Sequence, residues 1–598
     1  MKKLLSIILV LIIATPIFAD DFQATLQKAE QNAEFLEWLH SAALQGDADA
    51  QNNLGNMYYH GEGVPQDYAE AARWYQRAAE QGQVDAQVNL GILYYNGEGV
   101  PQDYDEAAKW CRQAADQGDM YAQYNLGILY YNGEGVAQDY AEALKWYHKA
   151  AEQGDATAQC NLANCYLNGL GTRQNVEKAV DWYLLSAEQG NLQALTSLGI
   201  CYRLGCGTTL DMDEAVNCFK QASQSGHADA QNELADCYYN GTGVPQDDEK
   251  AFKLYKSAAA KGHVTAQRSL GICYESGTGT YADKYIAVEW YKKAAFQGDA
   301  EAQFYLGDCY HDGIGVEQDH REAAVWYSKA AEQDFADAQY RLAVCHFTGE
   351  GVDNNYKKAF VLFRKAAKQG HLEALCQLAG CYYSGYGVDA DVEKAFELYT
   401  IAAEEGNANA QYYLAECYRW GDGVESSMEK AVDWYERAAE LGHAGSMNNI
   451  GAFYFHGMIF MQDYGKAVEY FSAAAKQGNA EALFNLGNCY YWGYGVEQDY
   501  LTAARCFIRA AERDNVDAQY NLGILYYKGM GVTQSYSEAV MWLTKAADNG
   551  YHRAQYDLGV CYYNGQGVVK DINKAAELWK LSAKQGNEEA KSALKSIK

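Results

Sequence analysis

The chain has 598 residues and a formal net charge of -31, from 48 Lys and Arg against 79 Asp and Glu. That imbalance argues against nucleic acid as a partner and favours basic proteins or neutral ligands, although acidity also serves solubility alone. The 56 glycines against four prolines exclude Pro-rich linkers and low-complexity tails and make glycine a regular punctuation mark.

In chain order, residues 1–19 (MKKLLSIILVLIIATPIFA) come first. Lys2 and Lys3 precede an apolar run from Leu4 to Ala14, and Ala19 stands before Asp20-Asp21. This is the pattern of a cleaved secretory signal peptide, too short and wrongly flanked for a membrane span. It predicts an exported protein, in the periplasm or, alternatively, secreted outside the cell. No cysteine follows the cleavage point, so a lipoprotein-type anchor is not expected. Loss of two lysines and no acid takes the charge from -31 to -33.

Beyond a half repeat at 20–46, a period of 36 governs everything. Steps of 36 from Ala50 reach Ala590 with Ser446 the one departure; Leu54 repeats to Leu594 with only Ile450 different, and Gly61 to Gly565 without exception. Fifteen complete units fill 47–586, and 587–598 remain as a C-terminal capping helix. A fixed period of this length means a solenoid, in which each unit buries its apolar face only against its neighbours. Ala50, Leu54, Met57 and Tyr58 share one helical face, predicting helix A over about 48–59. Ala71, Trp74, Tyr75, Ala78 and Ala79 predict helix B over about 68–81, closed by Gly82. Asp67 with Glu70 has capping-box spacing, repeated at Asp103/Glu106, Asp139/Glu142, Asp211/Glu214 and Asp319/Glu322. Gly61 and Gly63 do not open a dinucleotide loop, because Gln66 stands where a third glycine is needed, and no Walker-type Lys-Ser/Thr follows. They are expected to end helix A with positive φ.

The columns A-x-A-Q-x-x-L-G-x-x-Y-x-x-G-x-G-V, then Asp, Ala-Ala, Trp-Tyr, Ala-Ala and Gly, are similar to the Sel1-like repeat family, a relative of the tetratricopeptide repeat. The resemblance covers all of the chain after the signal peptide. It implies an all-α, right-handed superhelix of antiparallel helix pairs that acts as an adaptor or scaffold for protein complexes. Cysteine-rich members of the group carry one disulfide per repeat and some are linked to penicillin binding; the matching columns at Ala79 and Gln87 never hold cysteine here, so neither property carries over.

Ten of the sixteen cysteines share one column (Cys165, Cys201, Cys237, Cys273, Cys309, Cys345, Cys381, Cys417, Cys489, Cys561), where other repeats have Met57, Leu93, Leu129, Phe453 and Leu525. Equivalent helices lie on the order of 10 Å apart, too far for a disulfide, so these thiols read as small core hydrophobes. Cys111, Cys160, Cys206, Cys218, Cys376 and Cys506 stand off that column. His227, His263, His371 and His443 replace Asp or Asn in the turn before helix A and read as polar caps. No catalytic, cofactor or metal motif stands out: H-E-x-x-H, paired C-x-x-C and G-x-S-x-G are all missing.

Variable columns are where a partner would bind. Positions 52, 56 and 59 face away from the constant stripe, and in a tetratricopeptide-like array that face lines the inner groove. The 52 column supplies Tyr124, Phe304, Tyr340, Tyr412, Phe484, Tyr520 and Tyr556, and the 49 column supplies carboxylates such as Asp85 and Glu481. The rings at Tyr59, Tyr95 and their equivalents suit either partner binding or packing between repeats. The twelfth repeat breaks pattern with Met458-Ile459-Phe460-Met461, and three successive repeats carry Trp420, His456 and Trp492. An exposed apolar loop needs a cover, so a partner hot spot is expected at Arg419, Trp420, Phe455, His456, Met458, Phe460, Tyr491 and Trp492, with self-packing of a degenerate turn as the competing reading. The fifth repeat, Leu204-Gly205-Cys206-Gly207-Thr208, is a weaker irregularity. The expected protein is an exported, non-catalytic scaffold in envelope assembly, signalling or host interaction; a cell-wall or exopolysaccharide binding protein or enzyme is the alternative.

Overall fold

A computed structural model of the chain describes residues 34–597. The signal peptide and the first part of the N-terminal half repeat lie outside the described residues. Helix A of the first repeat spans Ala48–His60, because Asp47 has extended backbone and its carboxylate accepts the Ala50 amide at 2.8 Å. It ends at Gly61, in the left-handed region at φ 73°, whose N–H donates to the Met57 carbonyl. Helix B spans Tyr68–Glu80, and Asp67 accepts the Ala69 and Glu70 amides at 3.0 Å each. The capping box holds only by half. The Asp67 N–H is already spent on the Tyr58 carbonyl at 2.9 Å, so Glu70 turns outward to Arg73 at 2.6 Å. Asp103, Asp139, Asp211 and Asp319 likewise donate their N–H to Tyr94, Tyr130, Tyr202 and Tyr310.

The same pair of helices recurs to Ile572–Lys584, followed by a last helix over Glu588–Ser596. With a helix over 34–44, the described residues form 32 helices and no strand. The fold is a tetratricopeptide-like α-solenoid of helix-pair repeats. Its contacts divide it into two units, one ending at Gln297 and one beginning at Gly298, and within each unit a helix packs chiefly on those adjacent in sequence. Among the described residues no helix is long and apolar enough to cross a membrane.

The second glycine of each turn has a sharper task than reversing the chain. A Cβ on Gly99 would sit 2.2 Å from the backbone carbonyl of Tyr68 in the preceding repeat, so this column is where one turn presses on the previous B helix. Gly82 also has positive φ, but a Cβ there would meet nothing within 4 Å. Ile459 takes the pressed position in the twelfth repeat without left-handed backbone; among the described residues only Asp334 and Asp514 combine a side chain with positive φ.

The cysteine column is buried throughout, as expected of small core residues, and all sixteen thiols are free. Within the column, burial raises the Cys165 thiol to about 11 and the Cys273 thiol to about 12. Cys206 alone is only partly buried. Off the column, Cys111 fills the place of Tyr75, and Cys160 and Cys376 that of Asn52.

Two outcomes follow. Gly99→Ala should destabilise by at least about 2 kcal/mol in chemical denaturation, combining φ strain with a backbone clash, whereas Gly82→Ala should cost about 1 kcal/mol from φ alone. A thiol reagent added to native protein should modify Cys206 quickly and the other fifteen only as denaturant opens the array.

Candidate partner-binding surface

The column of large rings at position 52 lies lower than the sequence suggests. Tyr124, Phe304, Tyr340, Tyr412 and Phe484 are half-buried, each against the ring on helix B of its own repeat: Tyr147, Tyr327, Phe363, Tyr435 and Phe507, at centroid distances of 5.9 to 6.1 Å. Tyr556 meets Trp579 at 6.4 Å, and Tyr520 packs on Tyr551 at 5.1 Å while its hydroxyl donates to Asp557 at 3.0 Å. These residues build the wall of the A-helix surface and expose only an edge. The 59 column is mostly packing: Tyr59 and Tyr95 meet Tyr68 and Tyr104 edge-on at 5.2 Å, and their hydroxyls donate to Glu98 and Glu134 of the following repeats at 3.3 and 3.0 Å.

Beneath the wall, position 56 is coupled to the ring at position 75. Where helix B carries Tyr75, Tyr183, Tyr255 or Tyr327, helix A offers Asn56, Asn164, Asp236 or Asp308 as acceptor at 2.5 to 2.7 Å. Where it carries Phe219, Phe363 or Leu543, the partners are Ile200, Val344 and Ile524. A buried hydroxyl without an acceptor is costly, which favours these pairings; the columns are not strictly coupled, since Ile128, Ile272 and Gly380 stand opposite Tyr147, Tyr291 and Tyr399, and Asn488 opposite Phe507. Burial raises the carboxyls of Asp236 and Asp308 above the ordinary range, although Tyr255 and Tyr327 donate to them and Arg203 and Arg341 lie near.

Two cavities open along the A helices of the tenth to thirteenth repeats and share Tyr412 and Glu416. One of about 530 Å³ is lined by Tyr383, Tyr386, Tyr413, Trp420 and Asp422 among others. The other, of about 560 Å³, is lined by Arg419, Phe455, His456, Met458 and Glu481 with four asparagines, Asn448, Asn449, Asn485 and Asn488. Glu416 is the organising residue. It accepts from the Tyr435 hydroxyl, from Asn449 Nδ2 at 3.1 Å and from the Trp420 indole N–H at 2.8 Å. Arg419 stands 3.8 Å from the same carboxylate and 4.8 Å above the Trp420 ring. Trp420 is thus held in place while 64% exposed, which is what a binding anchor requires.

Five of the eight expected hot-spot residues therefore line the two joined cavities: Arg419, Trp420, Phe455, His456 and Met458. Phe460 does not. It stacks on Tyr454 at 4.3 Å, and Tyr454 borders a different cavity with Tyr470 and Lys466; Phe460 succeeds Val64 in its column and fills that packing role. Of its loop, Met458, Ile459 and Met461 stay exposed, Met461 at 92%. Tyr491 and Trp492 touch each other at 4.7 Å without lining either cavity, and Trp492 is exposed. Glu416 lies in the 56 column that the helical spacing puts on the groove face, although the sequence does not single it out; Tyr413 and the 53 and 62 columns were not legible as lining positions. Their signal was the replacement, in the eleventh repeat, of the asparagine common at position 53 by Tyr413.

The turn histidines act as caps: His263, His371 and His443 accept the Ala266, Ala374 and Ser446 amides at 3.1 Å. His227 instead pairs with the Thr196 hydroxyl at 3.0 Å.

The Sel1 repeat profile matches residues 36–47 and then fifteen segments running from 48–83 to 552–587. The chain belongs to the Sel1 repeat family. Proteins of this family are in general protein-interaction scaffolds. Among solved structures, this Sel1 repeat protein is similar to a protective antigen of uropathogenic Escherichia coli displaying an SLR fold, at 32% identity over 87% of this chain and 97% of that one, TM-score 0.48. A Sel1 repeat protein from Oxalobacter formigenes is 34% identical over 52% of this chain and 89% of its own, TM-score 0.41. An immunity protein from Pseudomonas aeruginosa is 22% identical over 36% and 81%, TM-score 0.26. No curated protein matches the sequence.

The coupling of positions 56 and 75 is open to a mutant cycle. Tyr327→Phe removes the donor to Asp308 and should cost about 1–2 kcal/mol. Adding Asp308→Ile, the natural partner of phenylalanine in the fifth repeat, should recover most of it, as read by urea unfolding at pH 7.

Proposed function

We propose that this Sel1 repeat protein is an exported, non-catalytic scaffold that captures a protein segment in the cleft of its tenth to thirteenth repeats. The observation that carries this is the pair of joined cavities around Tyr412 and Glu416, with Trp420 and Tyr413 exposed at the rim. Glu416, Asp422 and Glu481 against the single cation Arg419 leave the lining acidic, so a segment pairing a Lys or Arg with an aromatic or aliphatic side chain fits best. The carboxylates themselves are engaged, Glu416 with Tyr435 and Asn449, and Asp422 with the Tyr383 hydroxyl at 2.6 Å, which suits recognition better than general acid-base work. The leader-like residues 1–19 support export and a setting in envelope assembly, signalling or host contact. The four asparagines of the second cavity favour one other ligand, a cell-wall glycan or exopolysaccharide stacked on the aromatic rim.

The test is affinity capture from envelope and medium on immobilised residues 20–598, beside a Trp420→Ala/Tyr413→Ala variant. A protein held by the native chain, released by added salt and lost by the variant is the expected result. Equal retention by both chains would overturn the site, and retention of polysaccharide alone would replace the protein partner with a glycan.

A further inference from the structure

At the junction of the eighth and ninth repeats, the second unit holds a cluster built on the same frame as the tyrosine pairs. In several repeats the residue at position 59 meets position 68 edge-on, and the residue at position 62 of the next repeat reaches the first of them, as in Tyr59, Tyr68 and Glu98. The frame is fixed by the backbone, because the glycine after position 62 presses on the carbonyl of position 68. In the eighth repeat the three places are taken by His311, His320 and Glu350. The imidazoles meet edge-on at 5.0 Å, and a Cβ on Gly351 would lie 1.9 Å from the His320 carbonyl oxygen, which pins Glu350 beside them. One ligating atom from each of the three lies within 4.8 Å of the others.

We propose that His311, His320 and Glu350 form a binding site for a divalent metal of the zinc class, clamping the eighth repeat to the ninth. Three observations carry it. His311 Nδ1 lies 2.6 Å from the Asp312 carboxylate, which orients the ring with Nε2 toward Glu350 at 3.7 Å; a histidine held by a carboxylate behind it is the usual arrangement of a metal ligand. Nδ1 of His320 is buried with no hydrogen-bond partner among the described residues, and such groups call for an explanation. Two imidazoles and one carboxylate are a donor set that zinc accepts, leaving a fourth position for water. Tetrahedral coordination at about 2.0–2.2 Å needs ligand atoms about 3.4 Å apart, within reach of side-chain rotation from the present separations. No metal ligand is legible in the sequence, where the four turn histidines share a column and this pair does not.

Full-length mature protein, stripped with chelator and dialysed, would be titrated with zinc chloride by calorimetry and its metal content measured. The account expects one tight equivalent that raises the melting temperature. His311→Tyr and His320→Tyr install the residue commonest in each column, as at Tyr59 and Tyr68, so both variants should fold, as circular dichroism would verify, and both should lose that equivalent. Asp312→Asn should weaken it on the order of 10-fold. His371→Asn removes the histidine that faces Asp337 and Glu373 at 3.4 and 3.6 Å and should leave binding unchanged. Cobalt substitution should give a spectrum without thiolate charge transfer, which separates this site from the sixteen cysteines. No bound zinc, zinc retained equally by His320→Tyr, or a thiolate band would each overturn the proposal.

Discussion

In eleven of the fifteen repeats a buried glutamine ties one repeat to the next. Gln87 is 2% exposed; its amide donates to the Ala79 carbonyl at the end of the preceding B helix at 3.1 Å, and its oxygen accepts from Gln117, at the end of its own repeat's B helix, at 2.8 Å. Both groups lie where water does not compete, so losing either leaves an unpaired amide in the core. Gln123 and Gln159 repeat the pattern. Where leucine takes the place, at Leu195, Leu375 and Leu483, the residue that would have answered from helix B has changed as well, to Ser225, Glu405 and Arg513. Where the glutamine is present, the register of a repeat on the last is set by a polar contact, with alanine and the cysteine column filling the space around it.

A scaffold so constrained can vary only where the contacts between repeats allow it. In five repeats position 56 answers the tyrosine at position 75 with an acceptor, and a second turn glycine such as Gly99, in its left-handed conformation, cannot grow without striking the previous repeat. The freedom that remains is concentrated on the A-helix face and in the turns. There the eleventh repeat uses Glu416 to carry Trp420, and the eighth uses its turn for two histidines. Both devices recruit the hydrogen-bonding geometry that elsewhere only holds repeats together.

The fold was legible because the 36-residue step has no insertion to blur it, and because Asp, Gly and alanine columns mark helix starts, ends and packing. Less of the site could be read. Helical spacing placed the 52 column on the variable face, but a long ring can fold down onto helix B, as Tyr412 does on Tyr435, and spacing alone does not reveal that. Phe460 looked like part of an exposed apolar loop, yet its column is that of Val64 and it packs accordingly. The histidine cluster joins residues 9 and 39 apart, a pairing that becomes visible only when the turn of one repeat is seen against the turn of the next.

The most direct test of the scaffold account is site-specific photo-cross-linking in the native cell. A photoreactive residue would replace Tyr413 at the cleft or, as a control, the exposed Leu441 at the end of a B helix. The account predicts a discrete protein adduct from position 413 that is absent from position 441 and diminished by Trp420→Ala. Adducts of equal yield from both positions, or none from 413 under conditions in which the protein is abundant and folded, would contradict it.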